Sequence, residues 1–83
     1  MIATLTKIEK KVSRFGGYFY YAFFKEINTG KSYYTCLFPR MRNWSRWKKV
    51  MTVGLVFKGL KIWKKGNKKN LIDADSRFKI VEE

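Results

Sequence analysis

Apolar and polar residues alternate loosely along this chain until a dense aromatic run, Tyr18-Phe19-Tyr20-Tyr21-Ala22-Phe23-Phe24, interrupts the pattern. Before it, Ile2 to Val12 mixes Thr, Ile, Leu and Val with lysines and reads as a first strand. Ser13-Arg14-Phe15-Gly16-Gly17 reads as a turn or loop, because paired glycines relax the backbone and end the pattern. Tyr18 to Ile27 is predicted as the second strand on aromatic β-propensity. Asn28-Thr29-Gly30 fits a three-residue hairpin loop closed by a glycine in the left-handed region. Lys31 to Phe38 is then the returning third strand, ended by Pro39.

Further on, Asn43 is suited to cap a short helix, with Trp44, Trp47 and Met51 at i, i+3 and i+7 spacing. Thr52 to Trp63 reads as a fourth strand broken by Gly59. Lys64 to Lys69 is a polar, strongly basic loop, and Leu71 to Val81 contains a last strand, clearest at Phe78 to Val81. Three strands, a short helix and two strands follow the order of an OB-fold, a five-stranded barrel plugged by a helix between strands three and four. The expected fold is therefore all-β, a single OB-fold-like domain over 1–83. Closure would also remove sheet edges that so aromatic a chain could ill leave open.

The predicted hairpin separates two faces, because side chains alternate along a strand. A three-residue loop sets Ile27 opposite Lys31, Lys25 opposite Tyr33, Phe23 opposite Thr35 and Tyr21 opposite Leu37. The intervening set, Tyr20, Ala22, Phe24, Tyr34, Cys36 and Phe38, mixes large and small apolar groups as a core does. The first set joins Phe19, Tyr21, Phe23 and Tyr33 to Lys25, Lys31 and Thr35. Ammonium groups are not buried unpaired, so that face is expected to be wet. In the fourth strand Val53, Leu55 and Phe57 alternate inward, with Val56 and Lys58 outward. A bulge at Gly59 would then turn Leu60 and Ile62 inward and Lys61 and Trp63 outward. The helical spacing of Trp44 and Trp47 points to a core plug, with Arg40, Arg42, Arg46, Lys48 and Lys49 extending the basic surface.

Charge gives these faces a direction. The 83 residues carry 19 lysines and arginines against six acids, a net charge of +13, and so favour a polyanionic partner. Hydrophobic content of 46 % is too high for a disordered basic tail. Rings on a wet, positive face suit base stacking on a single-stranded nucleic acid. The candidate stacking residues are Phe19, Tyr21, Phe23, Tyr33 and Trp63. The candidate phosphate-binding residues are Lys11, Arg14, Lys25, Lys31, Lys58, Lys61, Lys64 and Lys65.

The pattern resembles the small OB-fold single-stranded DNA-binding proteins of bacteriophages. The residues carrying the likeness are Ser13 to Tyr21, the Thr29-Gly30-Lys31 turn, and Leu71-Ile72-Asp73-Ala74-Asp75-Ser76. The resemblance implies binding through strands two and three and through the loops after strands one and four, here bearing Lys11, Arg14, Lys64, Lys65, Lys68 and Lys69. It also implies service in DNA replication or recombination. The chain ends with only Glu82-Glu83, so partner recruitment by a long acidic tail is not expected.

Catalysis is not expected. Histidine is absent and Cys36 is a lone cysteine, which removes the usual general base and any cysteine-based zinc site. Asp73 and Asp75 read as a turn whose side chains bond nearby backbone, rather than as a metal pair. No cofactor is implied. The N-terminal segment lacks the apolar stretch and cleavage pattern of a signal peptide, no run approaches bilayer length, and a reducing cytoplasm is the expected setting. RNA is an alternative ligand, and a homodimer is compatible with so small a core. Two other classes stay open: a phage module that clamps an acidic host protein, and a duplex-binding SH3-like barrel.

Overall fold

A computed structural model describes residues 1–63 and 70–81. Its elements are β1 (Ile2–Val12), β2 (Tyr18–Glu26), β3 (Ser32–Leu37), α1 (Trp44–Trp47), β4 (Val56–Lys58) and β5 (Lys79–Ile80). The five strands form one sheet in the order β3-β2-β1-β4-β5, antiparallel at every pairing, with the helix between the third and fourth strands as expected. The sheet is not closed into a continuous barrel. Between its two edges lie isolated bridges, parallel from Tyr34 to Leu71 and antiparallel from Ile62 to Ile72. The expected fourth and fifth strands are correspondingly shorter than their apolar patterns suggested.

The hairpin between β2 and β3 carries the main correction. Glu26 donates its amide to the Lys31 carbonyl at 2.9 Å, and Gly30 donates to the Glu26 carbonyl at 2.9 Å. The loop thus holds four residues, Ile27 to Gly30, and not three. Ile27 leaves the hairpin because its amide bonds the Ile2 carbonyl of β1 at 3.1 Å. Gly30 closes the turn at φ 73°, where a side chain would be strained. The pairs become Tyr21 with Cys36, Phe23 with Tyr34, and Phe24 with Tyr33. A one-residue slip sends every β3 side chain to the other face. Tyr33, Thr35 and Leu37 point into the core, while Tyr34 and Cys36 point out, the reverse of the expected split.

The core gathers Ala3, Leu5, Ala22, Phe24, Tyr33, Leu37, Trp47, Phe57, Leu60, Ile72 and Phe78. Trp47 is its hub: its ring lies 4.4 Å from Phe78 and 6.1 Å from Phe57, and its indole N–H donates to the Ala74 carbonyl at 2.9 Å. A buried indole N–H needs such a partner. The plug role expected of Trp47 is therefore met. Trp44 is only half-buried and stacks on Tyr20. Asn43 sits at the helix start without capping it; its side-chain amide instead donates to the Ala74 carbonyl. Val53 is 56 % exposed and Ile62 37 % exposed, so neither takes the inward place expected for it. Leu60 does turn inward after Gly59, whose φ is 85° and whose added Cβ would lie 2.8 Å from the Arg77 carbonyl oxygen. No described helix is long and apolar enough to cross a membrane.

Candidate nucleic-acid interface

The outward face of the sheet is assembled from three strands. On β2, Phe19, Tyr21, Phe23 and Lys25 alternate with the inward Ala22 and Phe24. On β1, the register shifts between Leu5 and Lys7, one residue being taken up at Thr6. Ala3 and Leu5 point inward before this bulge. After it, Lys7, Glu9 and Lys11 lie opposite Phe23, Tyr21 and Phe19 and share their face. From β3 come Tyr34 and Cys36, opposite Phe23 and Tyr21.

The rings on this face touch in a row. Phe38 stacks on Phe19 at 5.4 Å between centroids, Phe19 meets Tyr21 edge-on at 5.3 Å, and Tyr21 lies 6.3 Å from both Phe23 and Tyr34. Phe38 is 46 % exposed, and Phe19, Tyr21, Phe23 and Tyr34 are half-buried. Each ring therefore keeps part of its surface in solvent while its neighbours hold its orientation. Lys7 places its ammonium 5.8 Å from the centre of the Phe23 ring, a geometry in which the ring's negative face attracts the cation.

One carboxylate interrupts the positive margin. Glu9 pairs with Lys7 at 2.6 Å and with Lys11 at 3.5 Å. The hydrogen bond from Lys7 holds the Glu9 carboxyl below its ordinary value, with both lysine charges adding to the effect. Tyr21 is shifted the other way. Its neighbour Cys36 disfavours a negative charge on the phenol, and desolvation adds to that, so the phenol ionises above its ordinary value.

Beside the row, a groove of about 500 Å³ is lined by Tyr21, Tyr34, Cys36 and Phe38 and by Trp63, Arg42 and the Leu71–Asp75 segment. The far wall is held by backbone bonds. Tyr34 donates its amide to the Asn70 carbonyl at 2.9 Å, Ile72 donates to the Tyr34 carbonyl at 2.7 Å, and Trp63 donates to the Leu71 carbonyl at 2.7 Å. Asp73 accepts the Asp75 amide through Oδ1 at 2.9 Å and, through its carbonyl, the Ser76 hydroxyl. That is the turn expected from the sequence.

Of the sequence-derived stacking residues, Phe19, Tyr21, Phe23 and Trp63 come together around this row and groove. Tyr33 does not. It is 7 % exposed on the core side, and desolvation together with the neighbouring Glu26 carboxylate raises its phenol above the ordinary value. Its place is taken by Tyr34, and Phe38 joins it; both had been expected in the core. Lys11 and Lys25 lie on the outward face, and Arg14 is exposed in the β1–β2 turn. Lys31 is exposed just before β3. Lys58 lies on β4, opposite Ile2 and Lys79, two strands from β2, and exposed Lys61 adjoins the groove wall through backbone bonds to Ser76 and Asp73. Lys64 and Lys65 lie outside the described residues.

Lys7 and Tyr34 are not among the expected site residues, whereas Arg42, expected to extend the basic surface, lines the groove. Lys7 reaches this face only because of the bulge at Thr6, and no residue there marks it in the sequence. Tyr34 reaches this face only because the Ile2 carbonyl claims the Ile27 amide, a tertiary contact that no local sequence signal marks. Compared with protein-family models, characterised proteins and solved structures, the chain matches none.

Proposed function

We propose that this chain binds single-stranded DNA with little sequence preference, laying bases on the outward face of β1, β2 and β3. The observation that carries the reading is the contiguous row Phe38-Phe19-Tyr21-Tyr34/Phe23, half in solvent and bordered by Lys7, Lys11 and Lys25. Stacking is tolerant of sequence because every base has a π-face, and lysines hold phosphates as point charges. The adjoining groove runs beside the row and adds Trp63 and Arg42 to it, together with the carboxylates of Asp73 and Asp75. Through its resemblance to phage proteins, the reading extends to service in DNA replication or recombination.

Oligothymidine titration across a salt series is the test. Affinity should fall steeply with salt as counterions are released. The double substitution Tyr21→Ala with Tyr34→Ala should weaken binding by roughly 1–3 kcal/mol per base no longer stacked, while circular dichroism stays native. Binding indifferent to both salt and this double substitution would sink the proposal. Competition with duplex DNA and RNA tells the single-strand reading from the other nucleic-acid readings.

A further inference from the structure

The pairing of β1 with β2 runs past both neighbouring strands. The β3 partners of β2 end at Tyr20, and the β4 partners of β1 end at Thr4. Beyond Tyr20, therefore, Lys11–Val12 and Tyr18–Phe19 continue as a two-stranded ribbon with no third strand beside them. Phe19 and Tyr21 lie on the side already described. Alternation sets Tyr18 and Tyr20 on the reverse side.

That reverse side is again aromatic and basic. Tyr18 is 44 % exposed, meets Tyr20 edge-on at 5.6 Å, and has the Lys10 ammonium 4.2 Å above its ring centre. Tyr20 in turn stacks on Trp44 at 5.6 Å with only 10° between the ring planes. A groove of about 270 Å³ runs alongside, lined by Ile8, Tyr20, Trp44, Lys48 and Met51, none of them acidic. Packing explains the Tyr20–Trp44 stack, which shields one end of the core. It does not explain Tyr18 and Lys10, which lie beyond that core.

We infer that Tyr18, Tyr20 and Trp44, with Lys10 and Lys48, form a second single-strand subsite, reached by a chain that leaves the first face at Phe19 and rounds the edge of the ribbon. The inference rests on the single-strand reading above. Continuity selects this occupant: one strand's thickness separates Phe19 from Tyr18, and both sides offer rings beside lysines.

The test compares oligothymidines of about four and about sixteen nucleotides, lengths that bracket the site sizes of single OB-folds. The variant is Lys10→Gln with Tyr18→Ala, both exposed positions where folding is not at risk. It should bind the short oligomer within twofold of wild type and the long one about tenfold or more weakly. A Trp63→Phe chain provides a second readout, because Trp47 is 1 % exposed and Trp44 becomes the accessible indole. Its fluorescence should be quenched by the long oligomer more than by the short one. An unchanged length dependence in the Lys10/Tyr18 variant, or no quenching of Trp44 by the long oligomer, overturns the second subsite alone. Failure of wild type to bind either oligomer overturns the primary reading.

Discussion

The two faces of β1, β2 and β3 both carry aromatic rings yet have opposite fates. Inward lie Phe24, Tyr33, Ala22, Leu5 and Leu37, each less than one-tenth exposed. Outward lie Phe19, Tyr21, Phe23 and Tyr34, half-exposed beside Lys7, Lys11 and Lys25. Aromatic content does not separate the two faces. What separates them is where the ammonium groups fall: Lys7, Lys11 and Lys25 lie among the outward rings, whereas on the inner side Lys10 sits beyond the end of the core, where it stays in water. Ring chemistry on the inner face becomes stability, and on the outer face it becomes surface available to a ligand.

The largest expected effect sets Phe24 against its neighbour in sequence. Phe24 packs 5.2 Å from Phe57 and 6.4 Å from Trp47, so Phe24→Ala should destabilise by about 3–5 kcal/mol in chemical denaturation. Phe23→Ala removes a ring over Lys7 and should cost a small fraction of that. Equal losses at the two positions would break the distinction between the faces.

A second pair sharpens the corrected register. Tyr33→Ala should lower stability and leave oligothymidine affinity intact, whereas Tyr34→Ala should lower affinity by about 1–3 kcal/mol with a minor effect on stability. The reverse outcome would restore the three-residue hairpin loop.

Smaller effects belong to Glu9. Glu9→Gln releases Lys7 and Lys11 from their ion pairs, so the salt dependence of binding should steepen by roughly one to two phosphate contacts. An unchanged slope would show that those lysines never reach phosphate. The same carboxylate sets the smallest effect, on acid stability. Its pKa is lowered in the fold, so its contribution is present above the ordinary value of 4.5 and is lost as pH falls through the lowered one. Glu9 is close to solvent, which keeps this contribution modest. A pH series of thermal melts should show Glu9→Gln losing slightly less stability than wild type on acidification below that value.

How much was legible differs between β2 and β3. The split of β2 into Ala22 and Phe24 inside and Phe19, Tyr21 and Phe23 outside follows from period-two alternation, and the fold keeps it. On β3 the same alternation was visible, but its phase depended on the length of one loop. Gly30 marks the turn in the sequence, but the loop holds four residues and not three, because the Ile2 carbonyl takes the Ile27 amide. Trp47 in the core followed from helical spacing. Tyr20, expected in the core, reaches only halfway because its ring lies at the end of the sheet against Trp44.

The sequence by itself determined the all-β class, the strand and helix order, the basic excess and the existence of one wet aromatic face, since these rest on local propensity and charge. Tertiary structure decided which residues of β1 and β3 share that face. A bulge at Thr6 and an amide borrowed by Ile2 each change strand phase by one residue, and at a period of two one residue exchanges inside for outside.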